Sequence, residues 1–306
     1  CGSGLQSVVH AVEAVRVGYV DLVVAGGTES MSNAPYLMKG ARWGYRMGNG
    51  ELVDSMLAEG LTCAIKGCHM GMTAEEVVTQ YGVSREDQDG FSAESQKRAA
   101  DAIASGAFRE EIVAVEVPQK KGEPKRVDTD EYPRAGTTAE TLAKLRPAFA
   151  KEGSVTAGNA SGINDGAAAV VLMEREAAQK AGLKPIARLV SYGLAGVDPK
   201  VMGIGPVPAV KRALDKAGLT VDDMDVIESN EAFDVQALAV SCDLKFDSKK
   251  TNPNGGAVGL GHPIGATGAV LTVKALHELQ RIGGRYALVT MCIGGGQGIA
   301  AVFERI

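Results

Sequence analysis

The sequence lacks the features that mark secreted, membrane-bound and nucleic-acid-binding proteins. Its 306 residues include five irregularly spaced cysteines, an odd number that gives no disulfide framework and fits a reducing compartment. The 32 basic and 37 acidic side chains give a formal net charge of −5, which opposes binding to phosphate backbones. The chain begins without the charged and apolar regions of a signal peptide. We therefore expect a cytoplasmic protein that binds no nucleic acid, with an organellar location as the alternative because a leader could precede Cys1.

No apolar run is long enough to cross a membrane, so we expect no membrane contact. The longest uncharged stretches, residues 251–273 and 286–303, are broken by Pro253, Pro263 and the glycines 294–296. Hydrophobic residues make up 45% and charged residues 23% of the chain, the balance of an ordinary folded protein. Glycine, by contrast, is plentiful. Its 39 residues predict many tight turns and close backbone contacts.

The apolar pattern changes its period along the chain in the manner of α/β proteins. Spacings of three and four predict helices at residues 5–17, 208–217 and 269–279. Two more helix starts are predicted at Thr73 with Glu76 and at Ser84 with Asp87. Short apolar runs predict buried strands, the first ended by two glycines, at residues 21–25, 167–173, 186–190, 226–229 and 286–291. Such alternation predicts a sheet covered by helices.

The order of features at the start of the chain recurs near its end. A reactive side chain, a helix, a strand and a glycine turn run through residues 1–27 and again through residues 262–296, which predicts two related halves. From about residue 32 to 162 helical pieces alternate with polar loops, and residues 119–134 are predicted to be a solvated loop. The predicted units are an N-terminal half (residues 1–31 with 163–182), an inserted loop domain (32–162) and a C-terminal half (183–306).

Four side chains suited to acyl or proton transfer stand at the ends of predicted elements. Cys1 precedes a helix, where free N–H groups and the helix dipole favour a thiolate. Cys292 ends a strand before three glycines, and His262 lies between glycine turns just before a helix. Asn230 follows a strand and carries an amide able to hold a water. A lone cysteine is more often a buried apolar residue, but the combination favours an enzyme.

This combination resembles the thiolases, a family that exchanges acyl groups between coenzyme A thioesters. The resemblance spans the whole chain and implies an α/β fold in which duplicated βαβαβ halves form an α/β/α/β/α arrangement with an inserted loop domain. The matching motifs, in the family's order, are Cys1-Gly2-Ser3-Gly4-Leu5, His69-Met70-Gly71, Thr156-Ala157-Gly158-Asn159-Ala160-Ser161-Gly162, Asn230-Glu231-Ala232-Phe233, the segment 254–265 around His262 and the segment 291–296 around Cys292.

The resemblance implies a reversible Claisen condensation of acetyl-CoA and thiolysis of 3-ketoacyl-CoA, as in fatty acid metabolism. It makes Cys1 the nucleophile that carries the acyl group, with His262 activating Cys1 and helping to bind the thioester oxygen. Cys292 becomes the base or acid that handles the α-proton of the second thioester. Asn230 would hold a water in one oxyanion pocket, and the N–H groups of Cys1 and Gly294 would form the other. This chemistry needs a covalent carrier, a base and aimed donors.

The resemblance also implies partners and binding residues. Acetyl-CoA, 3-ketoacyl-CoA and free coenzyme A are the implied substrates, no metal or bound cofactor is implied, and a homodimer or homotetramer is expected. Arg134 lies in a charged loop, where a solvated surface arginine is an equally good interpretation. The positions at which thiolases contact the coenzyme A chain or the acyl group are Leu61, His69, Met70, Arg134, Phe149, Ala157, Ser161, Met202, Ala232 and Phe233.

The sequence departs from the family's pattern in two places. Several strands and helices normally precede the nucleophile, so we expect an incomplete N-terminal half and a chain that is inactive unless a preceding segment is supplied. Asp234 stands where related sequences usually carry a small residue, close behind Asn230.

Other functions account for fewer of these residues. An N-terminal nucleophile hydrolase would use Cys1 alone, and a dinucleotide-binding protein would need a strand before Gly2-Ser3-Gly4. A zinc site built from Cys63, Cys68 and His69 has no evident fourth ligand. The alternative from another class is a non-catalytic thiolase-like protein that binds acyl-CoA or lipid, although such a protein would not need two thiols.

Overall fold

The computed structural model describes residues 1–306 and contains nine α-helices and 12 strands. The elements before residue 182 are α1 Ser3–Arg16, β1 Leu22–Ser30, β2 Tyr36–Met38, β3 Leu52–Asp54, β4 Thr62–Cys63, β5 Cys68–His69, α2 Met70–Tyr81, α3 Arg85–Ser105, β6 Val115–Val117, β7 Lys125–Val127, α4 Ala139–Leu142, β8 Asp165–Met173 and α5 Arg175–Lys180. The later elements are β9 Ala187–Gly196, α6 Pro206–Ala217, β10 Val226–Ser229, α7 Asp234–Leu244, α8 Ala257–Leu260, α9 Thr267–Arg281, β11 Tyr286–Ile293 and β12 Gln297–Arg305.

Two sheets enclose a pair of helices at the centre of the molecule. β1 and β8 form an antiparallel two-stranded sheet, and a second sheet has the order β10-β11-β12-β9. In the second sheet β10 and β11 are parallel, whereas β12 runs antiparallel to both β11 and β9. α1 and α9 lie between the sheets, because Leu5 and Leu271 of these helices share one core with Ala25 of β1 and Val289 of β11.

A second core forms on the other face of the four-stranded sheet. There Val210 of α6 and Val240 of α7 pack against Leu288 of β11. The layers therefore run sheet, helices, sheet, helices, which is four of the five predicted layers. The outer face of the β1–β8 sheet is open, with Val24 66% and Val171 64% exposed.

The region from residue 32 to 162 joins the C-terminal half through a third core. Val77 of α2 packs there with Val235 and Ala239 of α7. The hairpins β2–β3, β4–β5 and β6–β7 project from this region. Its predicted status as an inserted domain stays a prediction. No helix of the chain combines the length and apolar character needed to span a bilayer.

The prediction that two glycines end β1 is wrong, because the strand continues through them to Ser30. Their role is close packing. A Cβ on Gly27 would lie 2.9 Å from the Cα of Ala266, and a Cβ on Gly26 would lie 3.0 Å from the Cα of Ala169. Glycine thus lets β1 approach both its partner strand and the segment that follows His262.

The two predicted helix starts in the inserted region have opposite outcomes. Ser84 caps α3, and its side chain and that of Asp87 form the expected reciprocal capping box. The start at Thr73 is wrong, because α2 already begins at Met70 and His69 caps it through a ring nitrogen. The predicted loop 119–134 contains the exposed strand β7, and the final strand β12 was not predicted.

Candidate active site

Cys1 and His262 meet where the first turns of α1 and α9 approach each other. Glycine permits this approach, since a Cβ on Gly4 would lie 2.7 Å from the backbone nitrogen of Ala269. A Cβ on Gly268 would lie 2.9 Å from the Cα of Leu5. The result places the half-buried Cys1 Sγ 3.2 Å from His262 Nε2.

His262 is buried and held at both its backbone and its ring. Its backbone N–H donates to Asn164 Oδ1 at 3.1 Å, and its Nδ1 lies 2.6 Å from Thr267 Oγ1. Burial lowers the pKa of His262 to about 3. The ring is therefore neutral at physiological pH, and a neutral imidazole beside a thiol can accept its proton.

Asn230 brings an amide to the same histidine from the end of β10. Its backbone N–H donates to the carbonyl of Thr290 at 3.0 Å, which fixes it to β11. Its Nδ2 lies 3.4 Å from His262 Nε2, and its buried Oδ1 has no hydrogen-bond partner in the protein. A buried acceptor without a protein donor is suited to hold a water or a ligand group.

Cys292 lies near the end of β11 and is fully buried. Desolvation raises the pKa of its thiol to about 11. The segment of Cys1 packs next to it, since a Cβ on Gly2 would lie 3.0 Å from Ile293 Cγ1. Gly294, just beyond, faces Met70, whose Cε would lie 2.5 Å from an added Cβ.

A hydrophobic cluster surrounds the Cys292 thiol and contains half of the ten predicted binding residues. Met202, Ala232 and Phe233 are buried in it with Cys292, while Met70 and Phe149 pack against it. The cluster therefore gives the thiol an apolar environment, the cause of its raised pKa.

His69 and Ser161 border this cluster. The His69 ring stacks on Phe149 at a centroid distance of 4.7 Å, and Phe149 meets Phe233 edge-on at 6.0 Å. Burial lowers the pKa of His69, whose Nδ1 accepts the N–H of Gly71 at 3.0 Å. Both the N–H and the hydroxyl of Ser161 donate to the carbonyl of Ala232 at 3.1 Å.

The other predicted binding residues lie outside the cluster. The carbonyl of Leu61 accepts the N–H of Met70 at 2.8 Å, so Leu61 is its neighbour. Ala157 is exposed. Arg134 is also exposed, and its backbone N–H donates to Gln96 Oε1 at 2.8 Å on α3. Its exposure fits both a solvated surface arginine and one that contacts coenzyme A, so the predicted role of Arg134 stays a prediction.

Comparison with known proteins identifies the family. Residues 1–176 match the family model described as the thiolase N-terminal domain, and residues 183–305 match the thiolase C-terminal domain. The chain belongs to the thiolase family. It is 60% identical to beta-ketothiolase BktB of Cupriavidus necator over 307 aligned residues, covering all of this chain and 77% of that protein.

Solved structures share the fold of this thiolase. The acetyl-CoA acetyltransferase of Bacillus anthracis superposes with a TM-score of 0.97 at 48% identity, over all of this chain and 77% of the other. The human mitochondrial 3-ketoacyl-CoA thiolase in complex with CoA gives 0.96 at 46% identity, over all of this chain and 76% of that one. The predicted thiolase fold and the predicted enzyme class, an acyltransferase of the thiolase type, are confirmed.

The three side chains considered for zinc, Cys63, Cys68 and His69, lie in the hairpin β4–β5. Cys63 and Cys68 face each other across β4 and β5, and the Nδ1 of His69 is engaged by the N–H of Gly71. The chain contains no group of three or more histidine, cysteine or acidic side chains placed to hold a metal ion.

Sequence reasoning missed the carboxylate that organises the loop leading to His262. Glu231 is fully buried and accepts hydrogen bonds from Ser95 Oγ at 2.7 Å, Asn252 Nδ2 at 2.8 Å and the N–H of Val258 at 3.1 Å. Its motif was noticed, but its donors are distant in sequence. Asn164 and Thr267, which hold His262, were also missed, and only Thr267 had a local signal as a hydroxyl at a helix start.

Asp234 points towards α3 from the start of α7. It is fully buried, one carboxylate oxygen accepts from Ser92 Oγ, and the other has no partner. Burial first, and then the nearby carboxylate of Glu231, raise the pKa of Asp234 well above its ordinary value. Its contact with Ser92 belongs to the packing of α3 on α7.

Proposed function

We propose that this thiolase catalyses the reversible condensation of two acetyl-CoA molecules, and the thiolysis of 3-ketoacyl-CoA, through an acyl-cysteine. The supporting observation is the 3.2 Å separation of Cys1 Sγ from the Nε2 of a neutral, buried His262. Coenzyme A thioesters are its substrates. The human relative solved with CoA supports this choice, and membership of the family implies a reaction without a bound cofactor.

In the first half-reaction Cys1 attacks the thioester carbonyl of acetyl-CoA. The Sγ proton passes to His262 Nε2, a new carbon–sulfur bond forms, and the bond to the coenzyme A sulfur breaks. The departing thiolate takes the proton from His262, which leaves acetyl-Cys1 and free coenzyme A. Asn230 supports the developing oxyanion through a water that it holds.

In the second half-reaction the Cys292 thiolate removes an α-proton from another acetyl-CoA and becomes a thiol. The resulting carbanion attacks the carbonyl of acetyl-Cys1, the carbon–sulfur bond to Cys1 breaks, and 3-ketoacyl-CoA is released. The proton held by Cys292 then passes to the departing Cys1 thiolate, which restores the enzyme. The N–H groups of Cys1 and Gly294 are the proposed donors of the other oxyanion pocket. In thiolysis these steps run backwards, and Cys292 protonates the carbanion.

The substrate chain is proposed to lie along the cluster that holds Cys292. Its proposed contacts are the ten predicted binding residues, of which those in or beside the cluster have the stronger support. We also propose a cytoplasmic homotetramer acting in fatty acid metabolism. The exposed hairpin β2–β3 and its turn support self-association, with Trp43 88% and Met47 97% exposed, and the free cysteines fit a reducing compartment.

Mass spectrometry with two variants tests the assignment of roles. After addition of acetyl-CoA, the Cys1→Ala variant should show no acetyl-enzyme. The Cys292→Ala variant should carry acetyl on Cys1, identified by peptide mapping, yet form no acetoacetyl-CoA. Equal labelling of both variants would refute the roles. Binding of coenzyme A without any labelling, both by this chain and by a version with a preceding segment supplied, would instead favour a non-catalytic acyl-CoA-binding protein.

A further inference from the structure

A single hydroxyl links the His262 ring to the backbone at the start of α9. Thr267 Oγ1 lies 2.6 Å from His262 Nδ1 and donates to the carbonyl of Pro263 at 2.9 Å. Thr267 is only 2% exposed and His262 only 6%. The contact is therefore shielded from water, and no solvent molecule can replace either partner without a rearrangement.

A hydroxyl has one proton to donate, and the carbonyl of Pro263, 2.9 Å from Thr267 Oγ1, can only accept it. Towards His262 the oxygen can then only accept. We infer that Thr267 is a positioning residue that fixes the neutral His262 ring in the tautomer with its proton on Nδ1, so that Nε2 presents a lone pair to Cys1. This inference rests on the proposed function, in which Nε2 takes the Cys1 proton.

The groups on the other side of the ring agree with this tautomer. Nε2 has two polar neighbours, Cys1 Sγ at 3.2 Å and Asn230 Nδ2 at 3.4 Å. The amide NH₂ can only donate and the thiol has an S–H to donate, so both are paired when Nε2 accepts. Every polar contact of the ring is satisfied when Nδ1 carries the proton. With the proton on Nε2 instead, the ring would present N–H to these two donors.

The tautomer matters because the thiol proton can pass only to an unprotonated Nε2. A ring free to exchange tautomers would spend part of its time with Nε2 already protonated and unable to act as the base. The hydroxyl also fixes the ring plane, which keeps Nε2 in line with Cys1 Sγ. Thr267 is too deeply buried to touch a substrate, and it lies at the first residue of α9.

A pair of variants isolates the hydroxyl. Thr267→Val keeps the shape of the side chain but removes the hydroxyl, and Thr267→Ser keeps the hydroxyl. We expect Thr267→Val to slow acetylation of Cys1 by roughly 10- to 100-fold at saturating acetyl-CoA, the range for a buried donor that loses its partner. The apparent KM for acetyl-CoA should change little. Thr267→Ser should recover most of the rate.

Nitrogen NMR on protein labelled at its histidines supplies a readout that a merely structural role would not move. The His262 signals, assigned by their loss in His262→Ala, should show a protonated Nδ1 and an unprotonated Nε2 in the unaltered chain and in Thr267→Ser. Thr267→Val should show a mixture. A protonated Nε2 in the unaltered chain, or an unchanged acetylation rate in Thr267→Val, would overturn the inference.

These outcomes separate the inference from the proposed function. Absence of acetylation in the unaltered chain, also when a preceding segment is supplied, would count against the function, and the NMR signals would still report the tautomer. Normal acetylation in both the unaltered chain and Thr267→Val would leave the function standing and remove the role of Thr267. Loss of rate in Thr267→Val and Thr267→Ser alike, with an unchanged NMR pattern, would likewise remove it.

Discussion

The raised pKa of Cys292 can be tested by alkylation over a range of pH. Iodoacetamide reacts with the thiolate, so its rate follows the thiolate fraction. Desolvation moves the pKa of Cys292 from an ordinary value of 9.0 to about 11. That change corresponds to about 2.7 kcal/mol against the charged form and to a thiolate fraction about 100-fold smaller at neutral pH.

The alkylation rate stops rising with pH once the thiol is fully ionised. The pH at which this plateau begins distinguishes a raised pKa from a thiol that the reagent cannot reach. Burial that only blocks the reagent lowers the rate by the same factor at every pH and leaves the plateau where an ordinary thiol has it. A raised pKa moves the start of the plateau to higher pH. We therefore expect the rate at Cys292 to rise about tenfold per pH unit from pH 7 to 10, whereas a reference cysteine peptide levels off above about pH 8.5.

The experiment uses the Cys1→Ser variant, so that alkylation of Cys1 cannot block the site. Short pulses are quenched and mapped by peptide mass spectrometry, which reports all four remaining cysteines separately. The exposed Cys242 checks in each sample that the reagent is active. A rate at Cys292 that levels off near pH 9, however slow it is, would refute the argument from desolvation.

Two further predictions concern buried charges. Lys274→Met removes the 2.9 Å partner of Glu228 in a pair that is 5% and 0% exposed, and should lower the free energy of unfolding by roughly 3 to 5 kcal/mol in urea titrations. Adding Glu228→Gln should recover part of that loss, and strict additivity would contradict the pairing. The raised pKa of Asp234 means that the unfolded state ionises first, so stability falls as pH rises from about 4. Asp234→Asn should remove that contribution, making its stability relative to the unaltered chain greater at pH 8 than at pH 5.

The sequence predicted correctly a helix start that depends only on residues close together in the chain. The helix α3 begins directly after Ser84 because its cap is complete within four residues. The same kind of pattern at Thr73 failed, since inside α2 the threonine hydroxyl donates back to Met70, and the cap is a histidine ring nitrogen. The sequence offers no sign that His69 would act in place of the usual serine, threonine or aspartate.

Long-range packing decided the elements that were mispredicted. The glycines of β1 resemble a strand end in the sequence, but they are required by backbone from segments more than 100 residues away. The strand β12 was missed although it lies at the centre of the four-stranded sheet, between β11 and β9. Its near-continuous burial removes the alternation of polar and apolar residues by which a strand is usually predicted.

The site residues were predictable as motifs, but their supports were not. Asn164 lies 98 residues from the His262 N–H that it accepts, and Ser95 lies 136 residues from Glu231. Contacts at such separations leave no periodic trace in one sequence. The motif at Asn230 was visible because several chemically active residues stand together, whereas a single supporting asparagine or serine resembles any surface residue.

Burial shifts the pKa values of His262 and Cys292 in opposite directions, and in both cases it favours the uncharged form. It lowers the pKa of His262 and raises that of Cys292, so both groups are neutral at rest. A neutral thiol at Cys292 is ready to protonate a carbanion, which suits thiolysis, whereas condensation must begin from its rare thiolate. In the proposed reaction, charge therefore appears only when a thioester is present to share it. The donors around the thioester oxygens then stabilise that charge in a buried site, where hydrogen bonds to a developing charge are stronger than in water.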